Sequence, residues 1–311
     1  MATSIYPVCL YNGQLKELQA GDGYITTRPI WYGNRGVFGG GYSSSAVATT
    51  IDYITISTTG NASSFGALAS AAYYFASGLS GNGRGVFVGG ADSGMVATNI
   101  MQYITIATTS NTTLFGYVAY GTFIGAETCS DGSRGVFGAV GAGNNINYLT
   151  ISTLGNSISF GALTVSRNLA GGCSNGLRGV FGGGGYNNID YITIATTGNA
   201  INFGALTVVA SYVVGFSGGD RGIFAGKSSA PQNYIDYITI STTGNSASFG
   251  QMTSGTAYGR NGCSDNTRGT FAGGTGTINL IDYITIATTG NATNFGALTS
   301  ARLGTGALSG N

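Results

Sequence analysis

The chain has 311 residues, of which 56 are glycine and only 7 % are charged, with a formal net charge of +1 and no histidine. Glycines without a three-residue period and only 3 prolines exclude a collagen, and 42 % hydrophobic residues argue against a disordered chain. The near-zero charge disfavours nucleic acid and anionic lipid as partners, and the missing imidazole excludes a Ser-His-Asp triad or a His-ligated metal.

Residues 1–30 precede the repeated part of the chain and predict a short arm. Asn12-Gly13 separates two runs of alternating apolar residues, which is the strongest short signal for a β-hairpin. No signal-peptide pattern and no 18-residue apolar stretch occur, so we expect a soluble protein without membrane insertion. Since a lone hairpin is marginally stable, we expect the arm to anchor the protein to a partner. The predicted anchoring residues are Tyr11, Asn12, Gly13, Leu15 and Leu18.

Six copies of one repeat fill residues 31–311. An Arg-Gly-x-Phe element begins each copy, a Tyr-Ile-Thr-Ile element follows, and a Phe-Gly element comes after a Thr-Thr-Gly-Asn turn. The turn is altered in copies two and three, around Ser110 and Leu154. The repeated arginines are Arg35, Arg84, Arg134, Arg178, Arg221 and Arg268.

The pattern within one copy is that of β-strands. In the fourth copy we predict an inner strand at 169–174, then strands at 179–182, 190–195 and 203–207, rich in β-branched and aromatic residues. No stretch has the spacing of an amphipathic helix over three turns. Four-stranded units of 40 to 50 residues in four to eight copies are typical of a β-propeller, so we predict an all-β, six-bladed ring.

The repeat resembles that of kelch propellers. Gly183-Gly184 ends one strand, Tyr191 lies in the next, and Phe203 leads the outer strand, as in the kelch pattern. The sequence departs from that pattern where Phe-Gly replaces the usual tryptophan. The likeness implies a kelch-like propeller over residues 31–311.

The two ends of the repeated region predict how the ring closes. Leu308-Ser309-Gly310-Asn311 matches Leu79-Ser80-Gly81-Asn82, which directly precedes the second repeated arginine. The C-terminal strand is therefore expected to complete the blade that begins at Arg35, which removes two exposed sheet edges.

The recurring charged and thiol residues have a structural interpretation. The six arginines are expected to bond neighbouring carbonyls or carboxylates, and Asp52, Asp190, Asp236 and Asp282 to act as hydrogen-bond acceptors, because Gln102 and Asn147 fill the same position elsewhere. Cys129, Cys173 and Cys263 alternate with Leu79 and Phe216, so we expect buried free thiols. Four acids without a recognisable partner are expected to be solvated: Asp92, Glu127, Asp131 and Asp220.

The loops that vary in length are the predicted binding region. The connection between the repeated Phe and the third strand ranges from 7 residues (182–188) to 12 residues (39–50). Loops on a rigid scaffold commonly carry binding residues, although inert glycine-rich connections remain an equal alternative. The candidate binding residues are Tyr42, Ser44, Asp92, Asn144, Tyr186, Asn187, Lys227, Tyr234 and Thr277.

Residues 10–18 and the Phe-Gly-Ala-Leu-Thr repeats are similar to segments of virion proteins of tailed bacteriophages, particularly of cyanophage type. The resemblance implies a non-enzymatic tail-fibre or tail-associated protein, present in several copies per virion, that joins other virion proteins through its arm and attaches to a host glycan or protein. A capsid decoration protein and a free glycan-binding lectin are the alternatives. Neither a catalytic residue, a metal nor a cofactor is predicted, although a hydrolase with two loop carboxylates stays open.

Overall fold

A computed structural model describes residues 8–11, 14–17, 31–43, 46–69, 77–92, 94, 96–119, 125, 127–140, 143–229, 232–255, 258–276 and 278–311. These residues form 26 strands in one two-stranded and six four-stranded sheets. The strands are the arm hairpin, β1 (Val8–Tyr11) and β2 (Gln14–Glu17); blade 1, β26 (Gly306–Gly310), β3 (Arg35–Gly39), β4 (Thr50–Thr55) and β5 (Ser63–Ala67); blade 2, β6 (Ser77–Gly81), β7 (Arg84–Val88), β8 (Ile100–Thr105) and β9 (Thr113–Tyr117); blade 3, β10 (Thr128–Ser130), β11 (Arg134–Val140), β12 (Asn145–Thr150) and β13 (Ile158–Ala162); blade 4, β14 (Ala170–Ser174), β15 (Arg178–Gly183), β16 (Tyr186–Thr193) and β17 (Ile201–Ala210); blade 5, β18 (Val214–Gly218), β19 (Arg221–Ala225), β20 (Tyr234–Thr239) and β21 (Ala247–Gln251); and blade 6, β22 (Asn261–Ser264), β23 (Arg268–Ala272), β24 (Leu280–Thr285) and β25 (Thr293–Ala297).

The protein is a six-bladed β-propeller, as the repeat predicts. Each blade is an antiparallel sheet whose strands follow one another from the inner to the outer edge. Blade 1 is the exception, because its inner strand is β26, which pairs with β3 in the register Leu308 to Val37 and Gly310 to Arg35. The C-terminal strand therefore closes the ring, as the comparison of the chain ends predicts.

The hydrophobic core lies between the blades, with one cluster for each of the six joints. Between blades 3 and 4, for example, Val136 and Phe160 pack with Phe181 and Ile192. The central strands are buried on both faces because each sheet is covered by a blade on either side. This explains why the Tyr-Ile-Thr-Ile strands carry apolar or aromatic residues on both faces.

Each repeated arginine spans a joint. The guanidinium carbon of Arg178 lies 4.7 Å from the ring centroid of Tyr191, and its Nη1 donates to the Ser241 carbonyl of blade 5 at 2.9 Å. The structural interpretation of these arginines is confirmed. The other five arginines also lie over their tyrosine rings, and the equivalent carbonyl accepts from Arg35, Arg221 and Arg268, whereas Arg84 and Arg134 donate to the isoleucine carbonyl one residue earlier, Ile151 and Ile194.

The turn between the third and fourth strands docks on the preceding blade. Asn199 accepts a hydrogen bond from the Ala162 amide at 3.1 Å, and the Gly198 amide donates to the Phe160 carbonyl at 2.9 Å. A Cβ at Gly161 would lie 2.1 Å from the Gly198 carbonyl oxygen, so the glycine of Phe-Gly is required by this close approach. The turn asparagine accepts from the preceding blade in the other joints through Asn61, Asn111, Asn156, Asn245 and Asn291.

The three thiols of the inner strands are buried and free, as predicted. Each faces the glycine that follows a repeated arginine in the next blade. A Cβ at Gly179, for example, would lie 2.4 Å from the sulfur of Cys129. Leu79 takes the same place against Gly135, so a thiol here acts as a small apolar group.

The arm contains the predicted hairpin. β1 pairs with β2 in the register Val8 to Glu17 and Tyr11 to Gln14. Of the predicted anchoring residues, Tyr11 lies in β1 and Leu15 in β2. The other three, Asn12, Gly13 and Leu18, lie outside the described residues.

Candidate functional site

The ring has two different faces. The link face carries the loops between second and third strands together with the links that join one blade to the next, as predicted. In blade 1 the Tyr42 amide donates to the Leu303 carbonyl of such a link at 2.8 Å, and the Leu303 amide returns a bond of 3.0 Å. The opposite, turn face carries the tight turns that end at the repeated arginines and the Thr-Thr-Gly-Asn turns.

The predicted binding residues differ in how they meet solvent. Tyr186 is 45 % exposed at the start of β16, and Asn187 beside it is exposed too. Half-buried Asp92 accepts hydrogen bonds from the amides of Gly94 and Val96, both at 2.9 Å, so its carboxylate shapes its own loop. Two further candidates are also half-buried, Tyr42 and Asn144.

Two candidates point inward instead of into an open loop. The structure leaves Lys227 only 8 % exposed. The hydroxyl of Tyr234 is buried, and burial together with the Asp236 carboxylate raises the pKa of this phenol. Lys227 lies two residues after β19, and Tyr234 is the first residue of β20, where its ring packs against a cluster that includes Val213 of the link between blades 4 and 5. Ser44 and Thr277 lie outside the described residues.

The link-face mouth of the central channel carries an aromatic pair that the sequence analysis missed. The rings of Tyr212 and Tyr258 lie 5.2 Å apart between centroids, in two different links. Tyr212 has a φ of 62°, a left-handed conformation that is unusual for a bulky residue and is commonly found at binding sites. Tyr212 also lines a polar cavity of about 50 Å³ with Arg260, Asn261 and other inner-strand residues. The sequence signal for this pair is the presence of a tyrosine in each of two links between blades.

A directional ring of serines lines the channel below this cavity. Each hydroxyl donates to the carbonyl of the serine in the preceding blade, as Ser174 does to Ser130 at 2.6 Å. In five copies a serine lies four residues before the repeated arginine, and Ser309 is its counterpart on the C-terminal strand; this recurring serine is the sequence signal for the ring. The other members that follow the rule are Ser130, Ser217, Ser264 and Ser309.

Trp31 closes the turn-face mouth of the same channel. The sixth serine, Ser80, departs from the ring and donates instead to the Trp31 carbonyl at 2.7 Å. The indole stacks edge-on against Tyr32 at 5.3 Å and touches the blade 4 turn at Gly176, where a Cβ would lie 2.6 Å from the ring. The cavity of about 90 Å³ between Trp31 and the inner strands has polar walls where the serines lie and apolar walls at residues such as Leu79 and Phe216.

Buried acceptors on the third strands tie the blades together on the link side. Asp52 accepts from the Thr299 hydroxyl at 2.6 Å and pairs with Arg302 at 2.9 Å. Asp282 pairs likewise with Arg260 at 2.5 Å. The predicted acceptor role is confirmed at the four aspartates and at Gln102, whereas Asn147 instead donates to the Ala119 carbonyl at 3.3 Å.

Glu127 corrects one expectation, because this acid is fully buried and not solvated. Its carboxylate lies 3.3 Å from Nε of Arg167, whose Nη2 also lies 3.3 Å from Asp190. Two acids therefore share one guanidinium. Burial raises the pKa of Glu127 to about 7, against the opposing pull of Arg167. The other three acids named with it remain at least partly open to solvent.

The thiols offer no nucleophile under ordinary conditions. Burial raises the pKa of Cys263 to about 12 and also raises those of Cys129 and Cys173. Thiolate, and not thiol, is the reactive form, so these three groups are inert at neutral pH.

Within the described part of the chain, no three or more Cys, Asp or Glu side chains come together as a metal site, and no helix is long and apolar enough to cross a bilayer. Neither a known family model nor a curated protein matches this sequence.

Proposed function

We propose that this propeller is a non-enzymatic binding protein of a tailed-bacteriophage virion, anchored through residues 1–30 and presenting its link face to a host-surface glycan or protein. The observation that carries the binding role is the contrast between the two faces. On the turn face the repeated arginines bond within the ring and Trp31 lies over the channel, whereas the Tyr212–Tyr258 pair, the cavity of about 50 Å³ beside it and the loops of varied length belong to the link face.

The chemistry of the link-face mouth suits a neutral, hydroxyl-rich ligand. Tyr212 and Tyr258 supply ring faces for stacking, and the backbone amides and carbonyls of the inner strands surround the cavity. The exposed Tyr186 and Asn187 extend the same surface outward. Of the charged side chains that the structure describes on the link face, only Asp92 is not buried, so recognition there depends on shape, hydrogen bonds and stacking, with affinity raised by several copies on one particle.

The virion role is supported by the sequence of the arm and by where the arm joins the ring. Residues 10–18 resemble phage virion proteins, and the hairpin of β1 and β2 is a compact unit for attachment. Trp31 joins the ring at the turn face, opposite the link face. A chain anchored through residues 1–30 would thus leave its link face free.

Two measurements test this proposal. Labelled antibody against the full chain should decorate the tail in micrographs of purified virions, and deletion of residues 1–30 should abolish the label. Label over the capsid would favour a decoration protein, whereas sugar binding without any particle label would favour a free lectin.

A glycan array probed with the full chain tests the binding face. Tyr212→Ala and Tyr258→Ala should each weaken the strongest interaction by about 10-fold or more, which corresponds to about 1.4 kcal/mol. Tyr117→Ala removes an exposed tyrosine from the outer strand of blade 2 and is the matched control. Equal losses in all three variants would contradict a site at the link-face mouth.

A further inference from the structure

The exposed apolar side chains are confined to one half of the ring. All nine large hydrophobic side chains that are exposed in the described part of the chain belong to blades 2, 3 and 4, and they are 44–65 % exposed. Five of them lie on the turn-face half of these blades, and we name this group the apolar sector. Its members are Leu114, Leu154, Ile158, Leu177 and Ile201.

The six-fold repeat shows that folding does not require these residues. Ile158 and Ile201 lie two positions before the outer-strand phenylalanine, and the other four blades have Ser63, Thr113, Ala247 and Thr293 at this position, all exposed on equivalent strands. Leu154 likewise replaces the second threonine of the Thr-Thr-Gly-Asn turn. Because the equivalent positions in other blades carry polar or small residues on the same backbone, folding does not explain the apolar residues. We therefore look to an interaction with another molecule.

In two joints, backbone hydrogen bonds join residues that directly neighbour members of the apolar sector. The Gly155 amide, next to Leu154 in blade 3, donates to the Phe115 carbonyl, next to Leu114 in blade 2, at 3.0 Å. The turn of blade 4 docks in the same way beside Ile158, through the Gly198 amide. Neighbouring exposed apolar groups of this kind mark protein interaction sites.

We propose that the apolar sector is where a second copy of this chain binds, in a symmetric contact that joins two rings through blades 2–4. Among the described residues, every charged side chain of these blades is buried or half-buried, and the half-buried arginines of the turn face, Arg84, Arg134 and Arg178, are already engaged by a tyrosine ring and a backbone carbonyl. The chain carries a net charge of only +1, so two copies repel each other weakly. A symmetric contact also matches each apolar group with the same surface of the partner.

This proposal does not depend on the virion role, and it is tested by the mass of the full chain in solution. Sedimentation at concentrations from about 1 to about 100 µM should show a rise from 31.4 kDa to twice that value. The variant Leu114→Ser, Leu154→Thr, Ile158→Thr, Ile201→Thr should stay at 31.4 kDa. Each new residue occupies the same position in another blade, so the ring should fold.

The matched control places four conservative changes in the other half of the ring: Ser63→Thr, Thr243→Ser, Ala247→Ser and Thr293→Ser. It should associate like the unchanged chain. As a second probe, Ile201→Glu adds one charge at a 59 % exposed position and should also give a single ring. An unchanged chain that stays at 31.4 kDa over the whole range overturns the proposal, as does association that both variants leave intact.

Discussion

The two halves of each joint between blades hold the ring together by different means. On the turn side, backbone groups and a repeated arginine make equivalent contacts in all six joints. On the link side, side chains make the contact, and their chemistry changes from joint to joint between aspartate with arginine, aspartate alone, and an amide. The backbone contact is kept even where Ser110 replaces the turn glycine, whereas the side-chain contacts differ between joints and can be exchanged as a matched set.

The largest expected effect on stability comes from removing one partner of a buried aspartate–arginine pair. Arg302→Leu should lower the free energy of unfolding by about 3–5 kcal/mol, because it leaves the buried Asp52 carboxylate without its cation. Adding Asp52→Asn should recover most of the loss, since blades 2 and 3 have an amide there and no arginine in the preceding link. Denaturant titration measures the free energy of unfolding of both variants. If Asp52→Asn does not restore stability to the Arg302→Leu protein, the aspartate and arginine are not exchangeable as a pair.

A backbone contact on the turn side should be nearly as sensitive. Gly161→Ala places a Cβ against the Gly198 carbonyl and should reduce the free energy of unfolding by about 3 kcal/mol, the upper range for overpacking. Gly198→Ala is the matched control from the same contact, because a Cβ there meets no atom within 4 Å. If the two variants are equally stable in the same titration, the close approach of Gly161 to the Gly198 carbonyl does not limit the size of the residue at position 161.

Glu127 gives the link side a pH dependence of intermediate size. The pKa of Glu127 is about 7 in the folded protein and near 4.5 in the unfolded chain, so its carboxyl group stays protonated up to a higher pH when the protein is folded. Stability relative to Glu127→Gln should therefore be greatest below about pH 4.5 and fall by on the order of 2–3 kcal/mol as the pH rises to about 7. Melting curves of the two proteins across this range measure the difference, and parallel curves would count against it.

The smallest effect is expected from one arginine of the turn side. Arg178→Lys keeps the charge but loses the planar group that lies over Tyr191 and reaches two carbonyls of blade 5, so the unfolding free energy should fall by about 1 kcal/mol. Tyr191→Leu removes the ring alone. In that background Arg178→Lys should cost less, and an unchanged cost would assign the whole effect to the hydrogen bonds.

The sequence was sufficient for the architecture because that architecture is itself repeated. Six copies of the same motifs predict six blades, and the match between 79–82 and 308–311 predicts the closing strand. The structural roles of the arginines and thiols follow from the same regularity, because the arginine has equivalent neighbours in every blade and the thiols share one position with Leu79 and Phe216.

Features that occur once could not be predicted in this way. Glu127 bonds Arg167, which lies 40 positions later in the chain, and no motif spacing in the sequence predicts that these two residues meet. Lys227 and Tyr234 have the sequence context of loop residues, and only the structure shows that the lysine and the tyrosine hydroxyl are buried. Trp31 belongs to none of the repeated motifs, and only the folded ring shows that it meets the turn at Gly176.

The pairing of β26 with β3 has a consequence for redesign. The side chain of Asn311 accepts a hydrogen bond from the Asn34 amide at 2.8 Å, so the two ends of the ring touch. A short linker could fuse them, and fresh termini could be cut into another inter-blade link, giving a circular permutant with the same blades. Such a molecule would let an engineer choose which blade carries a fused tag.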